Sequence, residues 1–156
     1  MRYGSFGRTS PVNRKDVLLA ALAAAEKPMQ PVHLQKALFL IDKKLPRLFE
    51  GHERYAFQPY DYGPFDSAVY ADADALALEG FVTVNRDSGS WYRVYAATEK
   101  GRVRGSALVA GMTDKQSALL RKIVALVSSL SFRQLVSAIY KSYPETKVNS
   151  VFKEKK

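Results

Sequence analysis

A chain of 156 residues, 47% hydrophobic and 25% charged, is long enough to bury one core without covalent staples. It has no cysteine, which excludes disulfides, thiolate metal sites and cysteine nucleophiles. The net charge of +9 is uneven: residues 1–49 carry +6, 50–99 carry −6, 100–111 carry +3 and 112–156 carry +6. Basic flanks of this kind attract nucleic acid nonspecifically, or they simply keep helices solvated, and both readings stand.

Residues 1–12 hold Gly, Ser and Arg without periodicity and read as a flexible basic arm. The opening "MRYGSFGRTSPVNRK" lacks the apolar core of a signal peptide. The longest apolar run, residues 17–25, is too short to span a bilayer. A soluble cytoplasmic protein with no membrane partner is expected. Asn13, with Asp16 three residues on, marks a helix start. That helix is apolar nearly all round, which predicts burial, and "EKPMQP" ends it. Pro31 suits the first turn of a second helix. Its apolar stripe is Leu34, Ala37, Leu38, Ile41 and Leu45, with Lys36, Lys43, Lys44 and Arg47 mainly off the stripe. Pro46 closes or kinks it, and an irregular link follows with an extended piece near residues 55–57.

Pro64 reads as the opening of a third helix over residues 65–79, with Phe65, Val69, Ala73 and Leu76 as its apolar face and Gly80 as its stop. "FVTV" and "WYRVYAA" read as two strands of a hairpin. A helix starts at Thr98, weakened by Gly101 and Gly105. Thr113 with Gln116, and Ser131 with Gln134, have capping-box spacing and start two further helices. These cover the preceding domain or build a homodimer; both readings stand. In the tail, Val148, Val151 and Phe152 are candidates to dock back.

The expected fold is mostly α, of α+β class: a winged-helix-like core of three helices and a β-hairpin wing, then C-terminal helices. The expected organisation is a basic arm (1–12), a winged-helix-like domain (13–111), and a helical extension with a basic tail (112–156). "LALEGFVTV" running on to "WYRVYAATEKGR" is similar to the wing of PadR- and MarR-like regulators.

A winged-helix protein reads DNA by laying its third helix in the major groove. Residues 65–79 contain Asp66, Asp72, Asp74 and Glu79, and no Lys, Arg, His, Asn or Gln. That is the wrong sign for a polyanion, and the usual base-reading side chains are missing. Nonspecific nucleic-acid binding would instead fall to Arg86, Trp91 and Arg93 on the wing and to Lys36, Lys43, Lys44 and Arg47 on the second helix. The arm, through Arg2, Arg8, Arg14 and Lys15, would add to it. The aromatic and acidic segment favours a protein partner, with Tyr60, Tyr62, Phe65, Tyr70, Asp66, Asp72 and Asp74 as contact candidates.

Two further observations shape the expectation. His33 and His52 are too few for a zinc site, Asp72 and Asp74 do not face each other on a helix, and no nucleophile elbow or phosphate-binding glycine pattern occurs. No enzyme activity, metal or cofactor is expected. Second, "HLQKALFLID" followed by "FQPYDYGPFDSAVYADADAL" resembles the Panacea domain of SocA-like antitoxins. Leu34, Gln35 and Lys36 match its first element, and Tyr62, Gly63 and Pro64 its second, over about residues 17–80. The resemblance implies an intracellular bacterial or phage protein that neutralises a toxin by direct contact. It implies no catalytic residues.

Overall fold

The computed structural model describes residues 12–86 and 93–152. The protein is mostly helical with two small antiparallel hairpins, an α+β fold. The order is α1 (Arg14–Ala24), α2 (Pro31–Lys44), a 3-10 turn (Pro46–Phe49), β1 (Gln58–Tyr60), β2 (Gly63–Phe65), α3 (Ala68–Leu78), β3 (Val82–Arg86), β4 (Arg93–Ala97), α4 (Glu99–Ala110), α5 (Asp114–Ser129), α6 (Phe132–Ser142) and a second 3-10 turn (Pro144–Lys147).

The helix starts follow from local chemistry. The first N–H groups of a helix have no partner in the helix itself, so a side-chain oxygen just before the start stabilises it. Asn13 accepts from the Asp16 N–H at 2.8 Å, and Thr98 accepts from the Gly101 N–H at 3.0 Å. Thr113 with Gln116 and Ser131 with Gln134 form complete capping boxes at the starts of α5 and α6. Gly80, at φ +84°, takes the left-handed conformation that ends α3.

The core gathers α1, α2 and α5 with side chains from the first 3-10 turn, α3, β3, β4, α4 and α6. Val17, Leu18, Leu34, Leu38, Ile41, Val69, Leu76, Tyr95, Leu120, Val127 and Leu135 are all buried in it. The two C-terminal helices therefore share the core of residues 13–111, with α5 and α6 both packed on α2. α1 is buried along most of its length and makes its most extensive helix contact with α4. Gly101 and Gly105 lie at that contact. A β-carbon at Gly101 would sit 1.9 Å from the Phe81 carbonyl oxygen, and one at Gly105 would sit 2.4 Å from the Ala23 β-carbon.

β3 and β4 pair with Val82 opposite Ala97 and Val84 opposite Tyr95. Met29, in the link between α1 and α2, adds a bridge to Tyr95 through two backbone hydrogen bonds of 2.8 Å. Trp91 lies outside the described residues, as do Arg2 and Arg8 of the arm. Arg86 closes the β3–β4 ladder opposite Arg93.

One element differs from the sequence expectation. Pro64 does not open α3: it sits in β2, opposite Pro59, in a hairpin whose loop is Asp61–Tyr62. Antiparallel pairs alternate between hydrogen-bonded and non-hydrogen-bonded positions. Two prolines facing each other occupy a non-hydrogen-bonded position, where neither N–H is needed. Gly63, at φ +103°, makes the reversal that non-glycine residues resist. The helix waits for Asp66, whose carboxylate accepts from the Ala68 N–H at 2.9 Å.

Candidate protein-binding site

The segment "QPYDYGPFD" folds as a hairpin held from below by α2. Gln35 and Asp66 join their side-chain and backbone groups in a reciprocal pair: the Gln35 amide donates to the Asp66 carbonyl at 2.9 Å and accepts from its N–H at 3.1 Å. The next residue, Lys36, donates its ammonium to the Pro64 carbonyl at 3.0 Å. Both side chains are buried. The two stretches "LQK" and "YGPFD" thus form one structural unit, in which α2 supplies the polar groups that fix the hairpin's backbone.

This placement corrects the expectation for Lys36. It does not lie on a basic surface with Lys43, Lys44 and Arg47: it is 3% exposed. The hairpin covers that face of α2, and helical spacing within α2 carries no sign of it. Burial lowers the Lys36 ammonium to about 8 from its ordinary 10.5. Lys43 and Lys44 are exposed at the end of α2, and Arg47, expected on the same helix, is exposed on the 3-10 turn that follows it.

The hairpin presents its aromatic rings along a continuous path. Tyr60 stacks on Phe65 with centroids 5.1 Å apart, Phe65 meets the edge of Tyr70, and Tyr70 stacks on buried Tyr95. Tyr62 sets its edge against Phe132 of α6. Tyr60 and Tyr62 nonetheless remain 55% and 44% exposed. Phe65 and Tyr70 are half-buried, and burial pushes the Tyr70 hydroxyl up to about 12.

The C-terminal segment docks against the same hairpin. The Val151 N–H donates to the Asp61 carbonyl at 2.9 Å and the Asn149 amide to the Pro59 carbonyl at 3.2 Å. Phe152 is buried against Phe132 and Tyr140. Val148 and Val151 stay 75% and 58% exposed. Hairpin and tail together therefore hold four exposed large apolar side chains. Such a cluster on a braced backbone is unlike the scattered single apolar residues of an ordinary surface.

The acidic candidates have internal roles. Asp66 receives the N–H groups of Ala56, at 2.7 Å, and Ala68 as well as bracing Gln35. Asp72 accepts from the Tyr55 hydroxyl at 2.7 Å and from Arg14 at 3.0 Å, and the Arg14 guanidinium lies over the Tyr55 ring. Burial, together with the Asp72 carboxylate, pushes the Tyr55 hydroxyl far above its ordinary value. Only Asp74 is turned outward, and it pairs with Arg93 at 3.5 Å, both half exposed. Lys15 pairs with Glu79 at 3.0 Å. The negative charge of residues 65–79 is thus largely matched by cations from α1 and β4. Ala71, Asp74 and Leu78 form the outward face of α3, which offers no Arg, Lys, Asn or Gln.

The Asp72 network gives a stability prediction. Asp72→Ala leaves the Tyr55 hydroxyl, on a side chain 5% exposed, without its acceptor. The expected loss is about 2–3 kcal/mol in urea denaturation, and Asp72→Asn should recover part of it by accepting one hydrogen bond.

His33 is buried, with Nε2 2.8 Å from the Leu130 carbonyl, a bond that ties α2 to the α5–α6 turn. Among the described residues no three His, Asp or Glu side chains are grouped as metal ligands would be, and no helix is long and apolar enough to cross a membrane. Sequence reasoning missed the structural roles of Gln35 and Lys36. Nothing in the spacing of α2 marks them, because the hairpin that buries them comes from residues 58–66. No protein-family model matches the chain, and no curated protein matches it significantly.

Proposed function

We propose that this is a noncatalytic cytoplasmic interaction protein of antitoxin type, which binds and neutralises a partner protein through the β1–β2 hairpin and the tail docked beside it. The observation that carries this reading is the exposure of Tyr60 and Tyr62 on a backbone fixed by Gln35, Lys36 and the tail. Rigid aromatics bury large area on binding at little entropic loss, and they dominate interface energetics. A winged-helix-like core is supported by the β3–β4 hairpin following α3 and by the Met29–Tyr95 bridge, with the β1–β2 hairpin as an insertion between α2 and α3.

Co-expression with the product of the neighbouring gene tests it. A stoichiometric complex and relief of growth arrest are expected. Tyr62→Ala removes a half-exposed ring whose main internal contact is the Phe132 edge, so the melting temperature should fall little. Complex formation should weaken by at least tenfold, the scale of a hot-spot loss of about 2 kcal/mol. A protein that holds no partner and relieves no toxicity would overturn the reading.

Exposed Lys43, Lys44 and Arg47 support a second reading, a transcriptional regulator that grips DNA backbone through basic segments and its wing. Titration with duplex DNA at two salt concentrations separates the two. Sequence-dependent binding that survives moderate salt favours the regulator, while binding that vanishes with salt leaves the interaction protein standing.

A further inference from the structure

Between the hairpin and the first turns of α2 lies a hollow of about 290 Å³. Its walls are mostly apolar: Pro31 and Val32 from α2, and Tyr60, Tyr62, Phe65 and Tyr70 from the hairpin and α3. Lys36 also lines it. An ammonium has three N–H donors, and Lys36 uses one, toward the Pro64 carbonyl. Among the described residues it meets no carboxylate, and burial alone accounts for its lowered affinity for protons. Asp61 lines the same hollow, but it is exposed and forms no ion pair with Lys36.

A buried cation without a counter-ion is costly unless an anion reaches it. A neutral donor would also satisfy the Pro64 carbonyl, so that one hydrogen bond does not by itself demand a cation there. We infer that the hollow is a binding site for a carboxylate carried on an aromatic or other apolar group, with the Lys36 ammonium as its counter-ion. The lining carries one buried cation, Lys36, and one exposed carboxylate, Asp61, and a singly charged carboxylate matches the buried cation. A phosphate would bring about two charges and need more donors than one lysine provides. The volume, at the small end of ligand pockets, suits a single aryl or alkyl group. Such a carboxylate is carried either by a free arylalkanoic acid or by an acidic residue next to an aromatic one in another chain. The site does not depend on the antitoxin reading, and its test uses no partner protein, so the two fail separately.

The probe is 3-phenylpropionate, followed by NMR on isotopically labelled full-length protein through the Lys36 ε-carbon and the Gly63 and Phe65 amides. Saturable shifts at all three are expected, with the uncharged 3-phenylpropanamide at least tenfold weaker. Saturating acid should raise the Lys36 titration midpoint by at least one pH unit, because a bound anion favours the ammonium form. Lys36→Met should retain a cooperative melt and lose acid binding. If that variant fails to fold, the amide comparison and the midpoint in the unaltered protein still decide. A blocked Phe-Glu dipeptide amide runs in parallel: tighter binding than the free acid places the carboxylate on a partner chain, and binding of the acid alone places it on a small molecule. Equal binding of acid and amide, an unmoved Lys36 midpoint, or no response to either the acid or the dipeptide overturns the inference.

Discussion

Gly101→Ala should destabilise the protein by about 3 kcal/mol, although helix propensity alone predicts a gain of about 1 kcal/mol. The added β-carbon would fall 1.9 Å from the Phe81 carbonyl oxygen and 2.9 Å from its carbon. Both are backbone atoms, held because the Phe81 carbonyl accepts from the Thr98 N–H and the Phe81 N–H donates to the Leu76 carbonyl. Neither can swing aside as a flexible side chain would, so α4 must shift from α1 and the β3 entry. For a chain of this length the melting temperature should fall by about 6–12 °C. Gly105→Ala should act in the same direction against Ala23 and the Leu19 carbonyl. Gly111→Ala is the internal control. Its φ of −78° suits any residue, and its nearest non-neighbour atom is 3.5 Å away. That change should leave stability unaltered or raise it by about 0.4–1 kcal/mol. Losses at 101 and 105 without loss at 111 would locate the effect in close packing, and equal gains at all three would disprove the tight α1–α4 contact.

These glycines show where the sequence stopped being legible. Gly101 and Gly105 read as weak points because propensity weighs a residue against water and its own helix. Their value lies in which backbone passes beside them, and that depends on how α1 folds across α4. The features set by near neighbours were readable. Asn13, Thr113 and Ser131 reach N–H groups three residues on, and Gly80 ends α3 through its own dihedral angle. Val82 to Val84 and Val94 to Ala97 belong to a hairpin that alternation could signal. β1 and β2 escaped notice because each has three residues, too few for a period of two to register, and because proline also favours the first turn of a helix. The acidic face on residues 65–79 was correct as composition. Arg14, Lys15 and Arg93 then reached Asp72, Glu79 and Asp74 from segments distant in the chain. The aromatic cluster could be named from the sequence. That Tyr60 and Tyr62 face outward while Phe65 turns inward follows from the hairpin, which helical spacing over residues 65–79 does not signal.

Raising the pH from about 7.5 to 9.5 should stabilise the protein by about 2 kcal/mol through Lys36, the reverse of what deprotonating an ion-paired lysine does. In the unfolded chain the ammonium releases its proton near 10.5, and in the folded protein at about 8. Below the lower value both states carry the charge, and the native state bears the full penalty of burying it. Between the two values the unfolded chain holds more protons than the native one, so stability rises with pH. The gap corresponds to about 3 kcal/mol in all, of which about 2 is recovered by pH 9.5. The groups facing Lys36 are the Pro64 carbonyl and, across Gly63, the ring of Tyr140, while Asp61, Tyr60, Tyr62 and Tyr70 share the hollow. Tyr55 and Tyr70 act oppositely at higher pH. Their folded values are raised, so the stability they contribute begins to fall as pH passes the unfolded tyrosine value near 10. Denaturation midpoints below about pH 9.5 therefore isolate the lysine. Lys36→Met supplies the reference: it fills the same space without charge and leaves the Pro64 carbonyl without its donor, a loss of about 1 kcal/mol. It should be more stable than the unaltered protein at pH 7.5 by about 1–2 kcal/mol, with a nearly flat profile to pH 9.5. A profile equally flat with lysine in place would mean that the ammonium is bathed in water, and the hollow would then have no need of an anion.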